Sequence, residues 1–460
     1  MKGYTPILLL NILLIISNCV CSQDVVSVAH NQFNRFDDVH GGWLAADGTI
    51  SLLLPDGNTL WLFGDCFIGE KSGEFGINTS NSTFIHNAAI IDNGSVLQTV
   101  HGGTSEHPTS LIPEDGTNLF WPEHATIEDD TIKIFAVEII LTKNNNITDL
   151  NFTVGRTHIA SFKYPEMEYI STKLVNCITD STMRFGTQIL KKDDYTYIFG
   201  KKDITNNGLT WPIPVLARVN NSVDDPWYFY AGEDNWSLNC DEAVPIGDRP
   251  MSESFSVYEK NNKFYLIMHE IWFVNKLFIL ESDDITGPWN RKITGGKENA
   301  FCILPKHENN FTYNLFAHPQ FVNNNKILIS FNVNINNFSS IYDDARNYRA
   351  RFLWLSVEDA VTVYPPDTIK IFKDFTNTSS VLHLNNDTQH YIKISHDKIN
   401  FYINKTISVI SIYNTEGKLL YYKKINDDTI LNLTNLPNTV LIIKLFNENG
   451  ISTKKYDNTL

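Results

Sequence analysis

The sequence predicts an all-β protein in which a long array of hairpins is followed by a smaller β domain. Three observations predict it. Short apolar runs with strand-like pattern recur from Phe36 to Val363, broken by Gly, Asn, Asp and Pro. No helical pattern in that region exceeds about two turns. Aromatic residues make up 12% of the chain, which favours β structure and flat polar ligands.

The elements follow in chain order. Met1 and Lys2 precede an apolar stretch, Ile7 to Ile16, with small residues at Val20-Cys21-Ser22. Residues 1–22 therefore read as a secretory signal peptide, and the protein is expected to be secreted or at the cell surface. That stretch is too short to span a bilayer, and no later run reaches about 18 apolar residues, so no integral span is expected. The first hairpin is Thr49 to Leu54, a turn at Pro55-Asp56-Gly57-Asn58, then Thr59 to Gly64. The second joins Ala125–Ile127 to Thr131–Val137 through Asp129-Asp130, and the third joins Thr187–Leu190 to Tyr195–Gly200 through Asp193-Asp194. The fourth turns at Asn261-Asn262 between Phe255–Tyr258 and Lys263–Met268, and the fifth at Asn323–Asn325 between His318–Val322 and Lys326–Phe331.

Five hairpins spaced by about 65 residues suggest a radial repeat, a five-bladed β-propeller over residues 23–365. Five four-stranded blades need about 330 residues, which this region supplies. An array of two-sheet sandwiches is the alternative. At Pro365-Pro366 the composition shifts to Asn, Lys, Ile and Thr, and residues 366–460 read as a separate small β-sandwich.

Composition excludes several functions. A net charge of −15 without a basic stripe argues against nucleic-acid binding. No Gly-x-Ser-x-Gly elbow, P-loop or His-Glu-x-x-His motif occurs, so serine esterase, nucleotide and zinc-protease chemistry lack support. Cys66, Cys177, Cys240 and Cys302 lack zinc spacing, and both disulfides and buried thiols remain open. Thirteen Asn-x-Ser/Thr triplets admit a glycoprotein, although so Asn-rich a chain also makes them by composition alone. One degenerate Asp box, Ile204 to Trp211, does not support a sialidase-type propeller.

Two resemblances emerge. Asn414 to Leu419, Ile430 to Asn438 and Leu441 to Gly450 make the C-terminal domain similar to a type IX secretion sorting domain. The larger region, Trp43 to about Val357, resembles secreted five-bladed propellers of the arabinanase-like glycoside hydrolase type and related families of unknown function. The matching elements include Gly42-Trp-Leu-Ala-Ala-Asp-Gly, Trp61-Leu-Phe-Gly-Asp, Phe84-Ile-His-Asn, Ala317-His-Pro and Tyr348-Arg-Ala-Arg-Phe. The resemblance implies cleavage of a polysaccharide or oligosaccharide, one containing arabinose among the candidates, by a monomer. A non-catalytic, lectin-like propeller is the alternative.

Glycoside hydrolysis needs two carboxyl groups across the scissile bond, one protonated and one ionised. Asp47, before the first inner strand and beside Gly48, is the expected base or nucleophile. Glu253, isolated among small and apolar residues, is the expected acid. Asp65 and Glu123 are expected to assist, and Glu270 is a weaker candidate. Trp43, Trp61 and Trp121 could stack on sugar faces, although packing between blades is the ordinary use of such residues. Asn87 is a candidate for a sugar hydroxyl. Arg349 and Arg351 alternate along one face and are candidates for ligand binding, with an ion pair between blades as the alternative. In the resembling propellers an inner-strand histidine often lies near an axial ion or water, which points to His318. Apart from such a structural ion, no cofactor is expected and no metal ligands are assigned.

Overall fold

The computed structural model describes residues 26–362, except 117, 142–151, 176–181, 207–208, 248–250, 271–273, 294–300, 303–309, 336 and 358–360, and the strands between 380 and 457. The expected leader, the Pro365-Pro366 linker and Cys177 lie outside the described residues. The described chain is all-β apart from the short helices His30–Arg35 and Ser340–Asp343 and three 3-10 turns. Among the described residues no helix is long and apolar enough to cross a membrane.

Two compact units divide the chain. One extends to Leu111 and adds Thr187–Leu190 and Met251–Thr362; the other takes Ile112–Gly186, Lys191–Pro250 and the chain from Val363.

In the first unit, Ile50–Leu53 pairs with Thr59–Phe63, which pairs with Ala88–Asp92 and then Leu97–Val100. The turn Pro55–Asn58 forms as its residues dictate. The Leu54 N–H donates to Asn58 O at 2.8 Å, and Asp56 Oδ1 accepts from the Asn58 N–H at 3.0 Å. A three-stranded sheet, Trp43–Ala46, Cys66–Ser72 and Gly76–Ile85, lies beside this one in the chain. Phe255–Lys260, Lys263–Glu270 and Val274–Ser282 build another antiparallel sheet. Asn310–Asn323, Lys326–Ile335 and Arg351–Leu355 build the last, and the N-terminal strand Val26–Val28 completes it in the register Val26 to Leu355. The hairpin turns in these two sheets use Asn261, Asn262, Asn324 and Asn325 at positive φ, which asparagine tolerates better than most residues.

One core of this unit is aromatic. Phe36 stacks on Phe352 at 5.4 Å and meets Trp43, Trp61 and Phe63 at 5.5 to 6.3 Å. Asp92 anchors it: Arg35 donates twice to its carboxylate and Trp61 Nε1 donates at 3.3 Å. A second apolar cluster joins Tyr258, Leu277 and Ile279 to Leu315, Ile329 and Leu353.

In the second unit, Asn118–Glu128, Thr131–Leu141, Phe152–Lys163 and Glu168–Leu174 form a four-stranded antiparallel sheet. Tyr195–Asn206, Leu209–Val219, Tyr228–Gly232 and Asn235–Ser237 belong to a five-stranded sheet whose first strand, Met183–Lys192, includes the Thr187–Leu190 stretch counted with the first unit. Asp129 and Asp193 sit at positive φ in the two hairpin turns. Towards the C-terminus, Ser380–His383, Tyr391–Ser395, Lys398–Tyr402 and Thr429–Asn432 form one sheet. Leu419–Ile425, Ser408–Asn414, Val440–Asn447 and Gly450–Asp457 form another.

Candidate active site

Two carboxylates meet in the first unit because two strand ends are cross-bonded. Asp47 follows Trp43–Ala46, and Asp65 separates Thr59–Phe63 from Cys66–Ser72. The Asp47 N–H donates to Asp65 O at 3.2 Å, and the Gly64 N–H donates to Asp47 O at 2.9 Å. Gly48 makes this approach possible. Its φ is +90°, and a Cβ there would lie 2.7 Å from Gly64 N. Two acids far enough apart in sequence to belong to different strands are thereby fixed side by side.

Burial, and after it the negative charge of Asp65, push the Asp47 carboxyl up from 3.8 to about 7. Hydrogen bonds from Tyr313 and Tyr348 oppose this, as does the bond to the Asp65 backbone. Tyr313 donates to Asp47 Oδ2 at 2.9 Å. Burial and the same carboxylate hold both phenols well above their usual range, so each keeps the proton that it donates. Asp47 itself is half-buried. Asp65 is held from its other side by His86, whose Nδ1 lies 2.9 Å from Oδ1. The His86 N–H in turn donates to Ser110 Oγ at 3.1 Å. Cys66 is a buried free thiol pushed up by burial and by both aspartates, which suits a packing residue rather than a nucleophile.

Glu253 is exposed in the segment preceding Phe255–Lys260, so its small and apolar sequence neighbours do not enclose it as expected. Its neighbour Ser254 donates to Asn314 Oδ1 at 2.8 Å, which ties this segment to the strand position next to Tyr313. Asn87 is buried beside His86, and its carbonyl accepts from the Leu111 N–H at 3.1 Å.

Other expected site residues are taken up by contacts of their own. Glu123 belongs to the other unit, where it is buried and accepts from Lys201 Nζ at 3.2 Å. An ion pair satisfies its charge, so it reads as a structural carboxylate rather than an assisting one. Trp43 is only 3% exposed, enclosed by Phe36 and Phe63, and Trp61 is fully buried, so neither offers a face to a sugar. Arg349 is buried. It donates to Leu44 O and Asp37 Oδ1, each at 2.6 Å, which realises the ion-pair alternative. Arg351 donates to the carbonyls of Arg346 and Arg349, and burial with the Arg349 charge lowers it to about 10. His318 has no exposed surface, and its ring nitrogens lie 2.6 Å from Ser51 Oγ and 2.8 Å from Ser330 Oγ. Both nitrogens are engaged by hydroxyls, which is the arrangement of a satisfied, packed histidine. The Glu270 side chain lies outside the described residues.

Three site residues were not singled out from sequence. Tyr348 and His86 stand inside Tyr348-Arg-Ala-Arg-Phe and Phe84-Ile-His-Asn, motifs that could have suggested them. Tyr313 carries no local signal; only its partner across the fold identifies it.

The described chain is thus all-β. Residues 30–357 match the model of a domain of unknown function, DUF5005, and the chain belongs to that family. No curated protein matches it in sequence. Among solved structures it is similar to a Bacteroides ovatus protein, itself a hydrolase by inference, at 19% identity and a TM-score of 0.55, covering 72% of this chain and 89% of that one. It also matches a GH43_1 enzyme of Xanthomonas citri complexed with xylose, at 9% identity and a TM-score of 0.39, over 70% of this chain and 92% of that one. An α-L-arabinofuranosidase of Podospora anserina in complex with cellotriose matches at 9% identity and 0.39, over 68% and 91%. These last two neighbours are glycoside hydrolases.

Proposed function

We propose that this protein is a secreted glycoside hydrolase of five-bladed propeller architecture with a C-terminal β-sandwich, acting on a polysaccharide, with arabinose-containing polymers the first to test. The observation that carries the reading is the Asp47–Asp65 pair, a half-buried acid lifted to about 7 by burial and by a second fixed carboxylate. A carboxyl group near neutrality can exchange a proton with a reacting group at working pH, which an ordinary surface aspartate cannot do efficiently. In this reading Asp47 activates water or attacks the anomeric carbon. Tyr313 and Tyr348 orient its carboxylate, and Asp65 sets its affinity for the proton. Glu253 protonates the leaving oxygen.

The test is reducing-sugar release from a panel of plant and microbial polysaccharides, L- and D-arabinans included. Activity lowered by orders of magnitude in Asp47→Asn and in Glu253→Gln, with the fold intact, supports the assignment. Full activity in either variant refutes that residue's role. Absence of release from every glycan refutes the hydrolase.

A further inference from the structure

Beside the carboxylate pair the surface is unusually aromatic. Phe67 is only 4% exposed and forms a hub. Around it stand Phe84 at 4.9 Å, Tyr342 at 5.7 Å and Phe338 at 6.3 Å, measured between ring centroids. These three outer rings are 38 to 44% exposed, and all belong to the unit that holds Asp47 and Asp65. Isolated exposed rings are ordinary, but three sharing one buried support are a preorganised apolar patch.

The patch is continuous with the site on two sides. Phe84 meets the His86 ring edge-on at 5.6 Å, and His86 holds Asp65. Phe338 lies 6.1 Å from Tyr348, a buried phenol close enough to Asp47 to feel its charge. Phe84 and Phe338 are therefore each one ring-to-ring step from a neighbour of the carboxylate pair, and Tyr342 reaches Tyr348 through Phe67, whose ring lies 6.4 Å from that of Tyr348. The supporting backbone is anchored: the Ala345 N–H donates to Phe75 O at 2.8 Å, which ties the Ser340–Asp343 helix region to the Gly76–Ile85 strand. An apolar shelf one step from the reacting carboxylates matches the C–H face of a sugar ring, whose hydroxyls would remain directed to water.

We infer that Phe84, Phe338 and Tyr342 form a carbohydrate subsite that holds the sugar unit next to the one at Asp47 and Asp65. This inference rests on the glycan reading above and deepens it. The shelf replaces the buried tryptophans as the stacking surface.

The test uses the full chain in the Asp47→Asn background, so that polysaccharide stays intact. Mobility is measured in native gels containing soluble arabinan, arabinoxylan or arabinogalactan. The parent is retarded in at least one gel, and Phe84→Ala and Tyr342→Ala each weaken that retention about tenfold. Phe84→Leu, which keeps apolar bulk without the ring, guards against a packing effect and shows a similar loss. Parent protein that runs freely in every gel overturns the subsite, as does equal retention of parent and variants. Reducing-sugar release by the wild type separates the two claims. Retention without release refutes the hydrolase and leaves the subsite. Release with unchanged retention in the shelf variants refutes the subsite and leaves the hydrolase.

Discussion

Asp47→Asn should make this protein more stable at alkaline pH while removing its activity. In the unfolded chain the Asp47 carboxyl titrates at its ordinary value of 3.8, and in the folded chain at about 7. Between those values the folded state binds more protons than the unfolded one, so stability falls as pH rises through the window. The full penalty is present above about pH 7 and absent below about pH 4. A displacement of this size corresponds to about 4 kcal/mol. Solvent reaching the half-exposed carboxylate reduces it, so ~2–4 kcal/mol is expected. Asparagine keeps the volume and still accepts from Tyr313, but it carries no charge. Wild type and variant are compared by denaturant titration at pH 4 and pH 8, followed by the fluorescence of the buried Trp43 and Trp61. The variant should gain ~2–4 kcal/mol at pH 8 and nothing at pH 4. An equal difference at both pH values, or none at pH 8, would falsify the claim that Asp47 holds its proton near neutrality.

The other predictions concern the same pair and the cores. For a base at Asp47, kcat/KM rises as pH increases through about 7, and Asp65→Asn should move that limb to lower pH by removing a repelling charge. Tyr313→Phe should move it to higher pH by removing a hydrogen bond that favours the carboxylate; shifts of the same sign in both variants would contradict the arrangement. Phe36→Ala should cost about 3–5 kcal/mol, because four aromatic neighbours lose their partner, and a calorimetric melt checks this. Glu123→Gln should destabilise the protein, since it removes one charge of a buried ion pair, and an undiminished unfolding free energy would show the pair to be dispensable.

What the sequence determined by itself was local. Strand patterns of period two, closed by Asp and Asn turns, located all five hairpins, because pleating and left-handed turn conformations depend on a few neighbouring residues. Asp47 was legible for the same reason: an Asp-Gly step before an apolar strand is a local feature. Tertiary structure decided which polar and aromatic residues face a ligand. Arg349 and Arg351 alternate as a ligand-binding pair would, yet Asp37 and the backbone carbonyls of Leu44, Arg346 and Arg349 occupy them. Trp43 and His318 look like site residues in a motif, but the aromatic core and two serines enclose them. The tyrosine that most directly touches Asp47 lies 266 residues away in sequence. Burial, the proximity of a second charge and a donor from a distant strand exist only once the sheets have closed on one another. Those three influences, rather than the identity of the aspartate, set its proton affinity.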